Sequence, residues 1–208
     1  MKKAGKNRQT GLQTPDGETT VLLHTGCAPC SSAIIEALMQ NGITPVIYYC
    51  NPNIYPREEY EIRKNECTRY AESLGLEIVD ADYDHENWLE AVKGMENEPE
   101  RGGRCLKCFR LRLLRTAEYA RHRGINVITT TLASSRWKSL DQINEAGFWA
   151  VGEINKSKNI VPPDDSVIWW DQNWRKGGLQ ERRLQIIREY DFYNQLYCGC
   201  EFSMRKED

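Results

Sequence analysis

The sequence lacks the motifs of several common enzyme classes. It contains no G-x-x-x-x-G-K-[ST] phosphate loop, no G-x-G-x-x-G fingerprint, no H-E-x-x-H and no G-x-S-x-G. The C-x₃-C-x₂-C run of radical enzymes is also missing. These absences argue against nucleotide triphosphate hydrolysis and against serine-type acyl transfer.

Long apolar runs are missing as well. No stretch approaches the roughly 20 residues that a transmembrane helix needs, and the amino terminus has no apolar signal-peptide core. We therefore expect a cytoplasmic protein with no membrane partner. The formal net charge of -2 predicts no nucleic-acid partner from bulk charge, although a folded surface can still carry a local basic face.

Cysteine is what the sequence does have. Eight cysteines in 208 residues are too few for a disulfide scaffold, and cytosolic thiols stay reduced. Six of them form three local pairs, Cys27-Ala-Pro-Cys30, Cys105-Leu-Lys-Cys108 and Cys198-Gly-Cys200. Such clustering indicates metal binding or redox catalysis rather than structural disulfides.

The chain divides into a short tail and one domain. Residues 1–17 are polar and basic without periodicity and are expected to be a mobile tail, and residues 18–208 a single α/β catalytic domain. Apolar runs alternate with helical segments, which predicts an open, mostly parallel sheet with helices on both faces. The predicted strands are 21–25, 45–50, 76–83, 125–132 and 167–171, and the predicted helices are 31–40, 58–74, 86–92, 106–123, 141–151 and 179–189.

Ligands of such sheets bind beyond the carboxyl ends of the strands. Cys27 follows the first predicted strand, and polar loops follow the others. We expect these segments to surround one cleft, with the carboxy-terminal C-x-C segment packed near it.

The two C-x-x-C pairs lie where predicted helices begin, so backbone N–H groups and the helix dipole favour thiolates there. Four soft ligands from two segments suit tetrahedral zinc or an iron–sulfur cluster. From the residues alone, a metal or redox centre at Cys27, Cys30, Cys105 and Cys108 competes with a structural zinc clamp and, for the first pair, with buried packing.

The third pair is open to two interpretations. Cys198 and Cys200 can close a small strained disulfide, which is the reducible kind, or can supply two further metal ligands. Cys50 and Cys67 are interpreted as packing or surface residues.

Two other constellations point to chemistry. Asp82 and Asp84 can supply a general acid or a hard metal ligand, or can serve only as loop and capping residues. Two clusters join tryptophan to cations, as phosphate binding and base stacking require. With Arg110, Arg112 and Arg115, we expect these clusters to form a basic cleft for RNA; their members are Arg136, Trp137, Lys138, Trp174, Arg175 and Lys176.

Many local motifs occur together in one order. They include His24 to Cys30, Tyr49-x-Asn51-Pro52-Asn53-Ile54, Asp80-Ala-Asp82-Tyr83-Asp84, Asn87-Trp88, Lys93-Gly94-Met95-Glu96-x-Glu98-Pro99-Glu100, Arg104-Cys105-x-x-Cys108, Ser135-Arg136-Trp137-Lys138, Gln142-Ile143-Asn144, Asn173-Trp174-Arg175-Lys176-Gly177-Gly178 and Tyr197-Cys198-Gly199-Cys200. From about residue 20 to about residue 204, this set resembles the cobalamin-independent epoxyqueuosine reductase family, QueH. The expected sheet resembles that of the adenine nucleotide alpha hydrolase-like (HUP) fold.

The resemblance implies a function. It implies an iron–sulfur reductase that removes the epoxide oxygen of epoxyqueuosine at the wobble position of tRNA, which is the last step of queuosine biosynthesis. The implied partners are tRNA carrying epoxyqueuosine and an electron donor that the sequence does not identify. The implied cofactor is a 4Fe–4S cluster, with an additional metal ion as an open alternative.

The resemblance also implies site residues. By position, Cys27, Cys105 and Cys108 match cluster ligands, and Cys198 with Cys200 matches a redox-active disulfide. The family usually has two adjacent cysteines where this chain has Gly26-Cys27. Either Cys30 supplies the fourth thiolate, or one iron stays open to substrate or to another ligand.

Two other functions compete with this one. The first is a tRNA sulfur-transfer enzyme with a Cys-bound cluster, which would need a phosphate loop after the first strand, where His24 to Cys30 has the wrong residues. The second is a zinc-stabilised RNA-binding module without catalysis.

Overall fold

The computed structural model describes residues 11–156 and 166–204, which form an α/β fold. Its strands are β1 (Thr20–Thr25), β2 (Thr44–Tyr49), β3 (Ile78–Asp80), β4 (Val127–Thr130) and β5 (Ile168–Trp169). Its helices are α1 (Ala28–Gln40), α2 (Arg57–Ser73), α3 (His85–Ala91), α4 (Gly103–Arg123), α5 (Leu140–Lys156) and α6 (Leu179–Tyr190). Every predicted strand and helix is present, with bounds that differ by a few residues.

The five strands form one parallel sheet in the order β3-β2-β1-β4-β5. β1 is central, with Leu22 beside Val46 of β2 and Ile128 of β4. Five of the six β1 residues, Val21 to Thr25, are buried, which explains why β1 shows no alternation of apolar and polar residues. The predicted α/β class is confirmed, and the likeness to the HUP fold stays a prediction.

The helices cover both faces of the sheet. α1 packs against α2 and α6, whereas α4 packs against α5. Right-handed crossovers explain the division, because the chain moves along the sheet in one direction from β1 to β3 and in the other from β3 to β5. None of the described helices is long and apolar enough to span a membrane.

The sheet order creates a crevice at its centre. The chain leaves β1 towards β2 and leaves β4 towards β5, so the loops after these two neighbouring strands diverge. Cys27 follows β1, and a short 3₁₀ turn, Thr131–Ser134, follows β4. This switch point is the natural ligand position of the fold.

The predicted mobile tail is too long. Residues 1–10 lie outside the described residues, but Leu12 and Thr14 are buried against the domain. The amide N–H groups of Gly11 and Leu12 both donate to Asn41 Oδ1, at 3.2 Å each. A single apolar residue and one side-chain acceptor thus attach the segment, which its polar composition concealed.

Candidate active site

The first thiol pair lies where β1 gives way to α1. Cys27 precedes the helix in an extended conformation, and its carbonyl accepts hydrogen bonds from the amides of Cys30 and Ser31. The Cys27 side chain is 3% exposed. A hydrogen bond from the Cys27 thiol lowers the pKa of Cys30, while burial and this bond raise the pKa of Cys27. Cys30 is therefore the more acidic thiol of the pair.

A buried histidine braces the strand ends beside this pair. His24 Nδ1 lies 2.7 Å from Thr130 Oγ1, and its Nε2 lies 3.1 Å from the Cys50 carbonyl. Burial, helped by the charge of Arg112, lowers the pKa of His24 well below its usual value. The neutral ring therefore donates from Nε2 to the carbonyl and accepts the threonine hydroxyl at Nδ1.

Arg112 connects α4 to the same strand ends. It is buried, and it donates from Nε to the Cys50 carbonyl at 3.1 Å and from Nη2 to Asn51 Oδ1 at 2.5 Å. Asn51 in turn donates to the Thr25 carbonyl at 2.8 Å. The expectation that Arg112 faces RNA is wrong, because its guanidinium is used inside the domain.

Gly26 stands where the resemblance leads us to expect a cysteine, and its surroundings leave room for a side chain. A Cβ there would lie 3.7 Å from Asn51 Oδ1 and 3.8 Å from Arg112 Nη2, which are ordinary contacts. Its φ is not in the left-handed region. A cysteine side chain could therefore begin at this position without moving the backbone.

The second pair is positioned by the turn that starts α4. A Cβ on Gly102 would lie 3.0 Å from the Pro99 carbonyl oxygen, and Cβ atoms on Gly102 and Gly103 would lie 2.7 Å and 3.0 Å from Glu98 Oε2, so a larger residue at either position would shift this turn or the Glu98 side chain. The same carboxylate accepts the Arg104 amide at 3.0 Å and so satisfies a free N–H at the start of the helix.

The Arg104 side chain fixes the loop ahead of α4. It is 2% exposed, and Nη1 donates to three loop carbonyls, those of Met95, Glu96 and Glu98. Its guanidinium also stacks on Phe202 near the carboxy terminus. The Gly102-Gly103-Arg104 turn therefore fixes where α4 begins and places Cys105 in the first turn of that helix.

Cys108 and Cys200 share a small apolar cluster. Both pack with Trp88 and Val92, and Phe202 closes the cluster. Burial raises the pKa of Cys200 to about 11. Cys105 lies nearer the surface, where burial also raises its pKa although the Arg101 amide donates to its sulfur at 3.3 Å. The cluster brings the carboxy-terminal pair to the second C-x-x-C.

The backbone of the C-x-C segment is held by side chains of α2. Arg63 is 2% exposed and donates to the carbonyls of Tyr197 and Cys198, at 3.3 Å each, while Glu59 balances its charge at 2.7 Å. The Gly199 carbonyl accepts the amide N–H of Tyr55 at 2.9 Å. These bonds fix a segment that has no regular secondary structure before Glu201.

The side chain of Cys198 has a cationic partner. Lys138 Nζ donates to Cys198 Sγ at 3.0 Å. Burial opposes ionisation of this thiol, but the charge and hydrogen bond of Lys138, with Arg112, lower its pKa. The C-x-C pair is thus asymmetric, with an acidic Cys198 and a weakly acidic Cys200.

The cysteines lie in two groups around Lys138. The charge of Lys138 acts on Cys30 of the first pair and on Cys105 and Cys198 of the second group. Within residues 11–156 and 166–204, no three His, Cys, Asp or Glu side chains form a metal cage. The soft donor set at one end of the sheet suits a thiolate-bound metal or cluster in its chemistry, with the four predicted ligands divided between the two groups.

The two candidate acids, Asp82 and Asp84, lie near the protein surface. Asp82 is exposed with φ 61°, and Asp84 accepts from Asn87 at 3.2 Å and pairs with Arg115 at 3.6 Å. Across the described part of the chain, no hydrogen bond or ion pair joins either acid to a cysteine. Their assignment as general acids stays a prediction.

The residues predicted to bind RNA separate into two sets. Arg136 and Trp137 are exposed, with the guanidinium 4.9 Å from the indole centroid, and Arg101 donates to both of their carbonyls. Lys176 is exposed too, and half-buried Arg175 donates to the Lys138 carbonyl at 2.8 Å.

Trp174 belongs to the interior. It is fully buried and meets Trp170 edge to face, so it presents no free face to a base. The expectation of base stacking is therefore wrong for this ring, because it fills space behind β4 and β5 instead. Lys138, likewise, points to Cys198 rather than to solvent.

Several supporting residues were not singled out in the sequence. Arg63 lies on a helix with a charged residue at most positions, so nothing in the pattern separates it from surface arginines. The histidine in β1 carried a usable signal, because a lone polar residue within a buried parallel strand must find internal partners.

Together these features define an α/β protein with its paired cysteines near one end of a parallel sheet. The family model described as epoxyqueuosine reductase QueH matches residues 21–206. The chain is 46% identical to epoxyqueuosine reductase QueH of Histophilus somni, covering 98% of this chain and 82% of that protein. It is 47% identical to the Haemophilus influenzae protein of the same name (93% and 75% covered) and 32% identical to that of Thermotoga maritima (89% and 90%).

The chain belongs to the epoxyqueuosine reductase QueH family, which makes it an oxidoreductase.

Proposed function

We propose that this protein reduces epoxyqueuosine to queuosine at the wobble position of tRNA. The observation that carries the proposal is the family match over residues 21–206, within which six paired cysteines gather at one end of the sheet. Removing an epoxide oxygen to leave an alkene and water takes two electrons and two protons. A site of several thiols is suited to storing electrons in pairs.

We further propose that a 4Fe–4S cluster is held by Cys27, Cys105 and Cys108. Bound there, it would supply one-electron transfer and a Lewis-acidic iron. The rest of the site is formed by protein groups: His24 and Arg112 brace the strand ends beside Cys27, and the Glu98 turn sets the start of α4. Cys198 and Cys200 form the redox pair.

The substrate base has to leave the anticodon stack to reach these thiols. Arg136 and Trp137 support this step, because a stacked arginine and an exposed indole offer both a phosphate contact and a stacking face. Lys176 supplies a further exposed positive charge for phosphate. Asp82 or Asp84 is proposed to protonate the leaving oxygen, and the site of action is the cytoplasm, where an electron donor recharges the pair.

The direct test combines a spectrum with an assay. Protein purified without oxygen should be brown, with absorption near 400 nm, and should convert epoxyqueuosine to queuosine in tRNA given a chemical reductant, as measured by mass spectrometry of the nucleosides. A colourless protein with one zinc and no conversion would instead support a zinc-stabilised RNA-binding module. A cluster without conversion, together with sulfur-modified tRNA, would support sulfur transfer.

The fourth cluster ligand needs a separate test. If Cys30 is that ligand, Cys30→Ser should lose iron; if one iron is open, iron content should survive. Because a side chain fits at Gly26, Gly26→Cys should then supply a ligand and change the spectrum. Identical iron content and spectra in the wild type and both variants would show that neither position contacts iron.

A further inference from the structure

The sequence groups Lys138 with Arg136 and Trp137, but the structure separates them. Arg136 and Trp137 face solvent, whereas half-buried Lys138 directs Nζ to Cys198 Sγ at 3.0 Å. Arg175 fixes the Lys138 backbone by donating to its carbonyl at 2.8 Å. Both the ammonium group and the backbone carbonyl of Lys138 are therefore hydrogen-bonded within the protein. This positions the lysine to contact one sulfur, whereas a lysine that binds phosphate uses a flexible side chain.

We propose that Lys138 is a positioning residue that holds Cys198 as the thiolate of the C-x-C pair and so makes Cys198, not Cys200, its nucleophilic sulfur. This inference rests on the proposed reductase function and deepens it. It assigns Lys138 to the thiol chemistry rather than to tRNA binding.

The groups around Cys198 come from several elements. Arg112 of α4 supports a negative charge on the sulfur, Arg63 of α2 bonds the Cys198 carbonyl, and Glu100 before α4 opposes the charge. Cys105 lies within electrostatic range. The lysine carries the direct contact, and its own pKa is raised by the Cys198 thiolate although burial alone would lower it.

Cys200 has different surroundings. It packs in a cluster with Trp88, Val92 and Cys108, against the apolar side chains of Leu111 and Phe202. Only two residues apart, one sulfur therefore faces an ammonium group and the other faces an apolar cluster. This difference fixes the direction of thiol exchange.

The charged pair also balances the proposed reaction. When a Cys198 thiolate and a Cys200 thiol form one S–S bond, two electrons and one proton leave. The Lys138 ammonium, which then loses its counter-charge, holds the second proton. The epoxide takes up the two electrons and, by way of the acid proposed above, both protons to give an alkene and water, and the external donor later restores the dithiol.

The test measures thiol reactivity without turnover. Reduced protein, kept free of oxygen, is treated with iodoacetamide between about pH 5.5 and pH 10, and alkylation of each cysteine is followed by peptide mass spectrometry. In the wild type, Cys198 should reach half of its maximal rate below the ordinary thiol value of about pH 8.5, and at pH 7 it should be alkylated faster than Cys200. A half-maximal rate at or above pH 8.5, or faster alkylation of Cys200 at pH 7, would overturn the proposal, and this measurement needs no variant.

Variants sharpen the result. Lys138→Met should slow Cys198 alkylation at pH 7 by about tenfold, Lys138→Arg should restore most of the rate, and Lys156→Met, which removes an exposed lysine paired with Glu153, should change nothing. The affinity of Lys138→Met for tRNA should match that of the wild type. A wild-type alkylation rate in a folded Lys138→Met protein, or a loss of tRNA affinity alone, would overturn the proposal. Failure of the wild type to form queuosine would refute the reductase function and leave these rates unaffected.

Discussion

The two C-x-x-C pairs and the carboxy-terminal C-x-C pair are held by different means. Cys27 and Cys30 lie at the start of α1, and Cys105 and Cys108 at the start of α4, so helix backbone bonds set their positions. The C-x-C pair lies on an irregular segment held by Arg63, Tyr55 and Lys138.

The difference matters for function. Sulfurs at helix starts are fixed by the fold itself, which suits ligands that must stay in place. A segment held by a few individual hydrogen bonds, rather than by a helix, depends more on each of them. This arrangement suits a pair that changes between dithiol and disulfide, because the two states differ in geometry.

The largest effect is expected at the helix-bound thiols. Replacing Cys105 or Cys108 by Ser should abolish both the iron content and queuosine formation, since each thiolate is proposed to bond the cluster directly. Iron analysis and the tRNA assay check this, with Cys67→Ser as a control on a buried cysteine outside the pairs. A variant with full iron content and full turnover would remove the site assignment.

The next largest effect distinguishes the C-x-C pair from the two C-x-x-C pairs. The double variant Cys198→Ser with Cys200→Ser should keep near wild-type iron but lose turnover, because the two electrons that each epoxide needs have no dithiol to hold them. Loss of iron would move these two residues into the metal site, and unimpaired multiple turnover would make them structural.

Arg63→Met tests whether the hydrogen bonds from Arg63 to the Tyr197 and Cys198 carbonyls hold the C-x-C segment in place. The change leaves the buried Glu59 carboxylate without its cation, although the Tyr193 hydroxyl still donates to it, and frees two carbonyls, so stability should fall by about 3 kcal/mol, with turnover reduced and iron retained. Arg69→Met is the matched control, since Arg69 is half-exposed and pairs with Glu66 on the same helix. Equal denaturation midpoints for the two variants would contradict this role of Arg63.

Gly199→Ala should have a smaller effect in the same place. Gly199 has φ 108°, and a Cβ there would lie 2.9 Å from Ile54 Cγ1 and 3.0 Å from Arg63 Nη1. A cost of about 1–3 kcal/mol is expected from the strained backbone and the contacts. Urea unfolding measures it, with Gly152→Ala as a control on α5, where a Cβ meets nothing within 4 Å. Unchanged stability of Gly199→Ala would argue against a tightly held segment.

The smallest effect is expected outside both regions. Trp137→Ala removes an exposed indole and should weaken tRNA binding by about tenfold, the loss of about 1.4 kcal/mol of stacking, with iron and thiol reactivity unchanged. Filter binding at fixed salt provides the measurement. Phe148→Ala removes another exposed aromatic ring, on α5, and should bind tRNA as the wild type does. Equal affinities for the two variants would exclude a stacking role.

The sequence predicted the architecture well because strand and helix patterns are local. Five apolar runs and six helices were recognisable, and their alternation implied a parallel sheet. The spacing of the cysteines also indicated the site, because a pair two or three residues apart must act together wherever the chain folds. The tail was misjudged because Leu12 is a single apolar residue in a polar segment.

The sequence by itself determined the fold class and the family, and it supplied the residues of the candidate thiol site. Only the tertiary structure decided which cations serve that site. Arg63, Arg112 and Lys138 resemble surface residues in sequence, yet each is directed inward by partners far along the chain, such as Cys198 and Cys50. The physical reason is that burial of a charge depends on long-range partners that satisfy it, and local sequence carries no record of them.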